Sequence, residues 1–319
     1  MSHHIPVMVQ EVITALALRD GGIYVDGTFG AGGYSKAMLE AASCTVWGLD
    51  RDPRAIQEGK KLQDSHGARL KLVQGCFGDM ARLVDEAHMG QIDGIALDVG
   101  ISSDQLDDAE RGFSFQGDGP LDMRMEADGE TAADLLNGCS ETELADIIYE
   151  FGEERHARHI AKAIIEARSQ EPFSTVGQLA GIARRIVGRS SDGLDPATRT
   201  FLALRIRVND ELGELRRGLR AAEQLLAPGG RLVVVSFHSL EDRAVKEFMR
   251  ARSGRTGAGV SRHRPEIPGK SPAPSFHLIR RGVQRPGDQE TKANPRARSA
   301  RLRTAERTDA PHWPTGQAA

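Results

Sequence analysis

Short apolar runs, each closed by a turn or an acid, alternate with helical stretches through the first hundred residues. Ile23-Tyr24-Val25, Thr45-Val46-Trp47, Leu70-Lys71-Leu72-Val73-Gln74 and Ile92-Asp93-Gly94-Ile95-Ala96-Leu97-Asp98 read as four buried strands. Between the first two, Ser35 to Ala42 reads as a helix. Continuous apolar runs of this length suit parallel strands covered on both faces. The next convincing strand, Arg231 to Ser236, follows a gap of some 130 residues. That gap far exceeds an ordinary connection in a parallel sheet and predicts an inserted domain.

The insert reads as helical. Ser140 to Glu143 is a capping box leading into Leu144, Ile147, Ile148 and Phe151. A second helix carries Ile160, Ala161, Ile164 and Ile165, and a third carries Leu179, Ile182 and Ile186 before Gly188. Asp195-Pro196 opens a long helix in which Phe201, Leu204, Val208, Leu212, Leu215 and Leu219 keep one period until Pro228-Gly229-Gly230. Beyond it, Leu240 to Arg252 reads as a helix and Gly254 to Ser275 as a mobile loop. Phe276 to Ile279 and Ala300 to Arg303 read as the last strands, and Thr308 to Ala319 as a disordered tail. The expected division is 1–105 and 209–307 for the sheet domain, with 106–208 inserted.

Ligands of such sheets bind beyond the carboxyl ends of the strands, which puts Asp26, Asp50, Phe77 and Asp98 on one rim. Asp26-Gly27-Thr28-Phe29-Gly30-Ala31-Gly32-Gly33 is a glycine-rich strand-to-helix turn, and Asp50 closes the next strand, placed to accept the hydroxyls of a ribose. The dinucleotide pattern fails at Ser35, and an acid before the first glycine suits a cationic ligand better than a pyrophosphate. S-adenosylmethionine, with its sulfonium and ammonium, fits. Phe77 either packs on adenine or belongs to the core.

Four further segments sharpen the reading. They are Gln105-Leu106-Asp107-Asp108-Ala109-Glu110-Arg111-Gly112-Phe113-Ser114-Phe115, Gly119-Pro120-Leu121-Asp122-Met123-Arg124-Met125, Ser236-Phe237-His238-Ser239-Leu240-Glu241-Asp242-Arg243 and Asn294-Pro295-Arg296-Ala297-Arg298-Ser299. With the glycine turn, Leu49 to Pro53 and Pro196 to Phe201, they resemble the bacterial ribosomal small-subunit RNA cytosine-N4 methyltransferases (the RsmH or MraW family). The likeness runs from His4 to about Arg307. Tyr34 stands where His is common in that family, and Asp104 where Pro is common. The resemblance implies an α/β fold, a Rossmann-like methyltransferase sheet with an inserted helical domain. It implies methylation of a cytosine amine in the decoding region of 16S rRNA, on the small subunit or its precursor. It carries Gly30, Gly32, Gly33, Tyr34 and Gln105 along with Asp26, Asp50, Phe77 and Asp98 as cofactor-binding positions. A methyltransferase of proteins and an RNA-binding assembly factor without catalysis are the alternatives.

A cytosine amine is a weak nucleophile, and a hydrogen-bond acceptor on it favours its developing positive charge. Asp98 is a candidate acceptor or a cofactor ligand; His238, after the fifth strand, touches base or phosphate, or is structural. Phe113 and Phe115 cradle a flipped base or pack the insert. Methyl transfer needs no metal. Cys44, Cys76 and Cys139 are scattered, as expected of a reducing compartment, and no leader or membrane-length apolar run is evident, so a cytoplasmic protein is expected.

Net charge is −3, yet Arg243 to Arg307 holds 17 Lys and Arg against 5 Asp and Glu. A basic end on an acidic body is the footprint of a phosphate-rich partner. Arg296, Arg298, Arg301 and Arg303 are the candidate RNA contacts.

Overall fold

The computed structural model describes residues 6–115, 117–126, 128–189, 193–254 and 272–314. In chain order the elements are α1 (Val9–Leu16), β1 (Ile23–Asp26), α2 (Gly33–Ala41), β2 (Thr45–Asp50), α3 (Pro53–His66), β3 (Leu70–Gln74), α4 (Met80–Glu86) and β4 (Ile92–Asp98). There follow α5 (Ser103–Asp107), α6 (Ala132–Gly138), α7 (Glu141–Gly152), α8 (Ala157–Arg168), α9 (Val176–Val187) and α10 (Thr198–Asn209). The chain ends through α11 (Glu211–Leu225), β5 (Leu226–Ser236), α12 (Ser239–Arg252), β6 (Phe276–Leu278), α13 (Asp288–Ala293) and β7 (Arg301–Arg307). Two compact units result, 1–100 with 212–319, and 101–211; the sequence placed the insert at 106–208. Among the described residues no helix is long and apolar enough to cross a membrane.

The first unit is built on one seven-stranded sheet ordered β3-β2-β1-β4-β5-β7-β6. Strands β1 to β5 pair in parallel; β7 runs antiparallel to both β5 and β6. Each central strand is apolar on both faces because helices cover both. Val25, Trp47, Leu97, Leu232 and Val234 share one core with Met80 of α4, Leu215 and Leu219 of α11 and Val245 of α12. Tyr24, Val46, Ala96, Val233 and Val235 share the other with Val12 and Leu16 of α1 and Met38 of α2. Strand order reverses beside β1, so the carboxyl ends of β1, β2 and β4 frame the switch-point crevice where such sheets take ligands.

The second unit has a core of its own, in which Leu144, Ile148, Ile160, Ile164, Leu179, Phe201 and Leu204 meet. Phe113 is buried in that core, and Phe115 sets its ring edge-on to Phe201 at 5.3 Å. Gly188 ends α9 with φ of 66°.

Two sequence expectations are corrected. The long helix expected from Pro196 is two helices, because Asp210 sits in the left-handed region at φ 47°. Asn209 turns its amide inward, accepting from Met125 N and donating to Met123 O, and this side chain holds the break. The tail is not free at its start. Thr308 N donates to Ser275 O, and Trp313 donates from its indole to Ala273 O and from its backbone to Glu223. The Arg252 guanidinium lies 4.4 Å from the Trp313 ring centroid, so the segment is held by burial and a cation–π contact. Of the loop expected from Gly254 to Ser275, 255–271 lie outside the described residues, as do 315–319 of the tail.

Candidate active site

The turn after β1 is tied to both neighbouring strands by its backbone. Gly27 N donates to Ala96 O of β4, and Phe29 N donates to Leu49 O of β2. Thr28 Oγ1 accepts from Asp98 N at 2.7 Å. Gly30 and Gly32 take φ of 50° and 78°, where a side chain is strained. A Cβ on Gly32 would also lie 2.7 Å from Leu62 Cδ2 and 2.8 Å from Phe29 Cζ. These glycines let the chain reverse tightly, Gly32 packed against Phe29 and Leu62 and Gly30 with open space around its Cα.

Asp50 closes β2 beside this turn. One oxygen accepts from Gly30 N at 2.7 Å and the other from Asp52 N at 2.8 Å. Each carboxylate oxygen keeps a second acceptor site, so the two bonds orient the group and leave capacity for a diol. Burial pushes the carboxyl up, and the two backbone donors pull it partly back.

Asp98 closes β4. Its Oδ1 is buried and has no hydrogen-bond partner among the described residues. Burial raises the carboxyl well above its usual range, and the negative charges of Asp26 and Glu241 raise it further. A buried acceptor left unmatched is expensive and marks a place where a donor belongs. Thus the fit to S-adenosylmethionine rests on the open backbone at Gly30 and the oriented Asp50 carboxylate beside it.

Asp26 lies behind the turn. It is fully buried, and its oxygens accept from Ser35 Oγ at 2.7 Å, Ser35 N at 3.1 Å and Thr28 N at 3.4 Å. Through these bonds Asp26 shapes the turn and anchors the start of α2. Burial pushes it up to about 6 against those hydrogen bonds, with Asp50 adding to the rise.

The Tyr34 hydroxyl donates to Val7 O at 2.5 Å and the ring is buried, so Tyr34 pins the N-terminal segment. Gly33 is close-packed, since a Cβ there would meet Pro6 at 2.8 Å. The Phe77 ring lies over α11, where a Cβ on Gly218 would come within 2.3 Å of it, and it packs half-buried against the sheet core. Gln105 belongs to the second unit, where its side chain completes a capping box with Ser102.

His238 is the N-cap of α12. Its Nδ1 accepts from Glu241 N at 3.4 Å, while Glu241 Oε2 accepts from Phe237 N and His238 N. Nε2 lies 3.0 Å from Glu241 Oε1 without being aligned to donate to it. The site thus includes two residues that the sequence reading missed, Thr28 and the fully buried Glu241. The signal for Glu241 was present: His238-Ser239-Leu240-Glu241 is a capping box with His in the place usual for Ser or Thr.

At the basic end, Arg296 and Arg298 are exposed. Arg303 donates from Nε and Nη2 to Asp242 at 2.7 and 3.1 Å, and Arg301 donates to the same carboxylate at 3.2 Å. One acid on α12 thus engages both Arg301 and Arg303.

Comparison with known proteins places the chain in a family. A family model described as the MraW methylase family matches residues 1–308. A relative from Paramagnetospirillum magneticum, named ribosomal RNA small subunit methyltransferase H, is 59% identical over 312 residues, 98% of each chain. Proteins of the same name from Rhodospirillum rubrum and Rhodospirillum centenum are 55% and 58% identical, covering 99% and 100% of this chain and 99% and 96% of theirs. The chain belongs to the MraW methylase family, and it is a methyltransferase with S-adenosylmethionine as its methyl donor.

Proposed function

We propose that the protein methylates the exocyclic N4 amine of a cytosine in the decoding region of 16S rRNA, in the cytoplasm, on the small subunit or its precursor. Near full-length relatives named for small-subunit rRNA support the substrate. The observation that carries the chemistry is the unmatched, buried carboxyl oxygen of Asp98 at the end of β4.

When bound, S-adenosylmethionine supplies a methyl group on a sulfonium that is already a good leaving group. The work left to this chain is positioning. Asp50 accepts the ribose hydroxyls, and the Gly30–Gly32 turn gives the backbone room beside them. Asp98 accepts an N–H of the cytosine amine, which favours positive charge on that nitrogen and provides a first station for its proton. Thr28 Oγ1, by accepting from Asp98 N, fixes the height of that carboxyl relative to the turn. His238 and Glu241 cap α12 and fix where β5 gives way to it.

Mass spectrometry of rRNA nucleosides from a strain lacking the gene tests the reading. N4-methylated cytidine in small-subunit RNA should disappear and return when the gene is restored. Its persistence in the deletion strain would rule the reading out.

A further inference from the structure

A second feature of the sheet unit is unrelated to the crevice. A cavity of about 260 Å³ opens between the C-terminal half of α12, the turn after β6, and β7. Its lining includes Lys246, Arg250, Arg280, Arg281 and Arg303, and no acid. Arg303 is engaged by Asp242, and Arg280 donates to Gln284. Lys246, Arg250 and Arg281 are exposed and make no ion pair among the described residues. Of the nearby acids, Asp242 is directed to Arg301 and Arg303 and Glu306 to Arg231, while Glu247 is exposed on α12 and does not line the recess.

Four cations converging on one recess without a matching acid repel one another, and an anion relieves that repulsion. The recess is small, and no aromatic side chain lines it, so it offers nothing for a base to stack on. Such a site positions a backbone; it does not read bases. Lys246 and Arg250 lie eight and twelve residues beyond His238, roughly 12 and 18 Å along α12.

We propose that this recess is an anchor for RNA phosphates, set away from the base that is methylated. Resting on the RNA reading above, it names the surface that holds the substrate. Lys246 and Arg250 come from adjacent turns of one helix face, and Arg280 and Arg281 from the opposite wall, so successive phosphates are gripped from two sides.

The test is fluorescence anisotropy with a labelled decoding-region 16S rRNA hairpin over a salt series, using Lys246→Ala/Arg250→Ala and Arg280→Ala/Arg281→Ala. Each pair should flatten the log–log salt slope by about 1.4–1.8 and weaken binding about tenfold at 0.15 M salt. Affinity for S-adenosylmethionine, read by calorimetry, should match wild type and shows that the variants fold. The single change Arg281→Gln, at an exposed side chain, should flatten the slope by about 0.7–0.9. If wild type binds and methylates RNA and these variants keep its slope, the anchor is wrong and the functional reading stands. If wild type neither binds nor methylates RNA, either as the hairpin or within isolated small subunits, both are wrong.

Discussion

The backbone N–H of Gly30 donates to a carboxylate oxygen of Asp50 across 2.7 Å, joining the glycine turn after β1 to the end of β2. One bond thus couples the two halves of the cofactor crevice. Asp50→Ala removes it together with the acceptors for the ribose hydroxyls. Charge-assisted hydrogen bonds are worth roughly 1.5–3 kcal/mol each, so calorimetry should show S-adenosylmethionine binding weakened by at least about tenfold while the fold persists. Unchanged affinity would remove Asp50 from the site.

Gly30 and Gly32 separate backbone strain from crowding. Both have positive φ, but a Cβ on Gly30 meets nothing closer than Thr28 O at 3.9 Å, whereas one on Gly32 strikes Phe29 and Leu62. Gly30→Ala should cost about 1 kcal/mol of stability, and Gly32→Ala roughly 2–4, adding overpacking to strain. Denaturant titration decides; equal losses would mean that the surroundings of Gly32 yield freely.

Asp98 should trade stability for activity. Its charge is disfavoured by burial and by Asp26 and Glu241. Asp98→Asn removes that cost, so Tm at pH 8 should hold or rise. The single-turnover methylation rate should fall by at least about tenfold, because electrostatic or proton-transfer help is typically worth about 10²–10⁴. A normal rate at saturation with lost donor affinity would make Asp98 a cofactor ligand only.

Binding of the cationic donor should release protons. Asp98 and Asp26 are both raised, Asp26 to about 6. A positive ligand favours their ionised forms, so affinity should rise with pH through and above about 6. By the same linkage, Asp26 alone makes the ligand-free fold less stable as pH climbs from about 4 to 6, since the folded state holds that proton more tightly than the unfolded chain. Calorimetry at pH 6.5 in buffers of different ionisation enthalpy measures the release; binding with no proton released contradicts the assignment.

The sheet was legible because its strands are continuous apolar runs, each closed by an acid or a glycine, so Asp26, Asp50 and Asp98 could be set at strand ends without coordinates. Which way each acid faces was not legible. Asp26 and Asp50 occupy equivalent positions in the pattern, yet Ser35 encloses the first and the turn leaves the second accessible to a diol. The break between α10 and α11 was hidden because Phe201 to Leu219 keep helical period across it, while the turn is held by the inward amide of Asn209 and spanned by the Arg205–Glu211 pair. The partner of Arg301 and Arg303 was hidden by distance along the chain: Asp242 lies on α12, some sixty residues earlier.

That pairing divides the basic end into two classes of arginine. Asp242 is buried beneath them, and although burial works against its ionisation, Arg303 and Arg301 hold its carboxyl below the usual range. The stability it contributes is present above the unfolded carboxylate value of about 3.9 and is lost as pH falls through its lower folded value. Asp242→Asn should therefore cost roughly 1–2 kcal/mol at neutral pH, discounted for the partial exposure of Arg301, and progressively less as the pH falls below the ordinary carboxylate range. Arg303→Ala should show the same loss. Arg296 and Arg298 are exposed, and neutralising both should flatten the RNA salt slope by about 1.4–1.8. If Arg296→Ala/Arg298→Ala lowers Tm and leaves the slope intact, these two arginines are structural as well, and the RNA contacts of this unit reduce to the recess between α12 and β7.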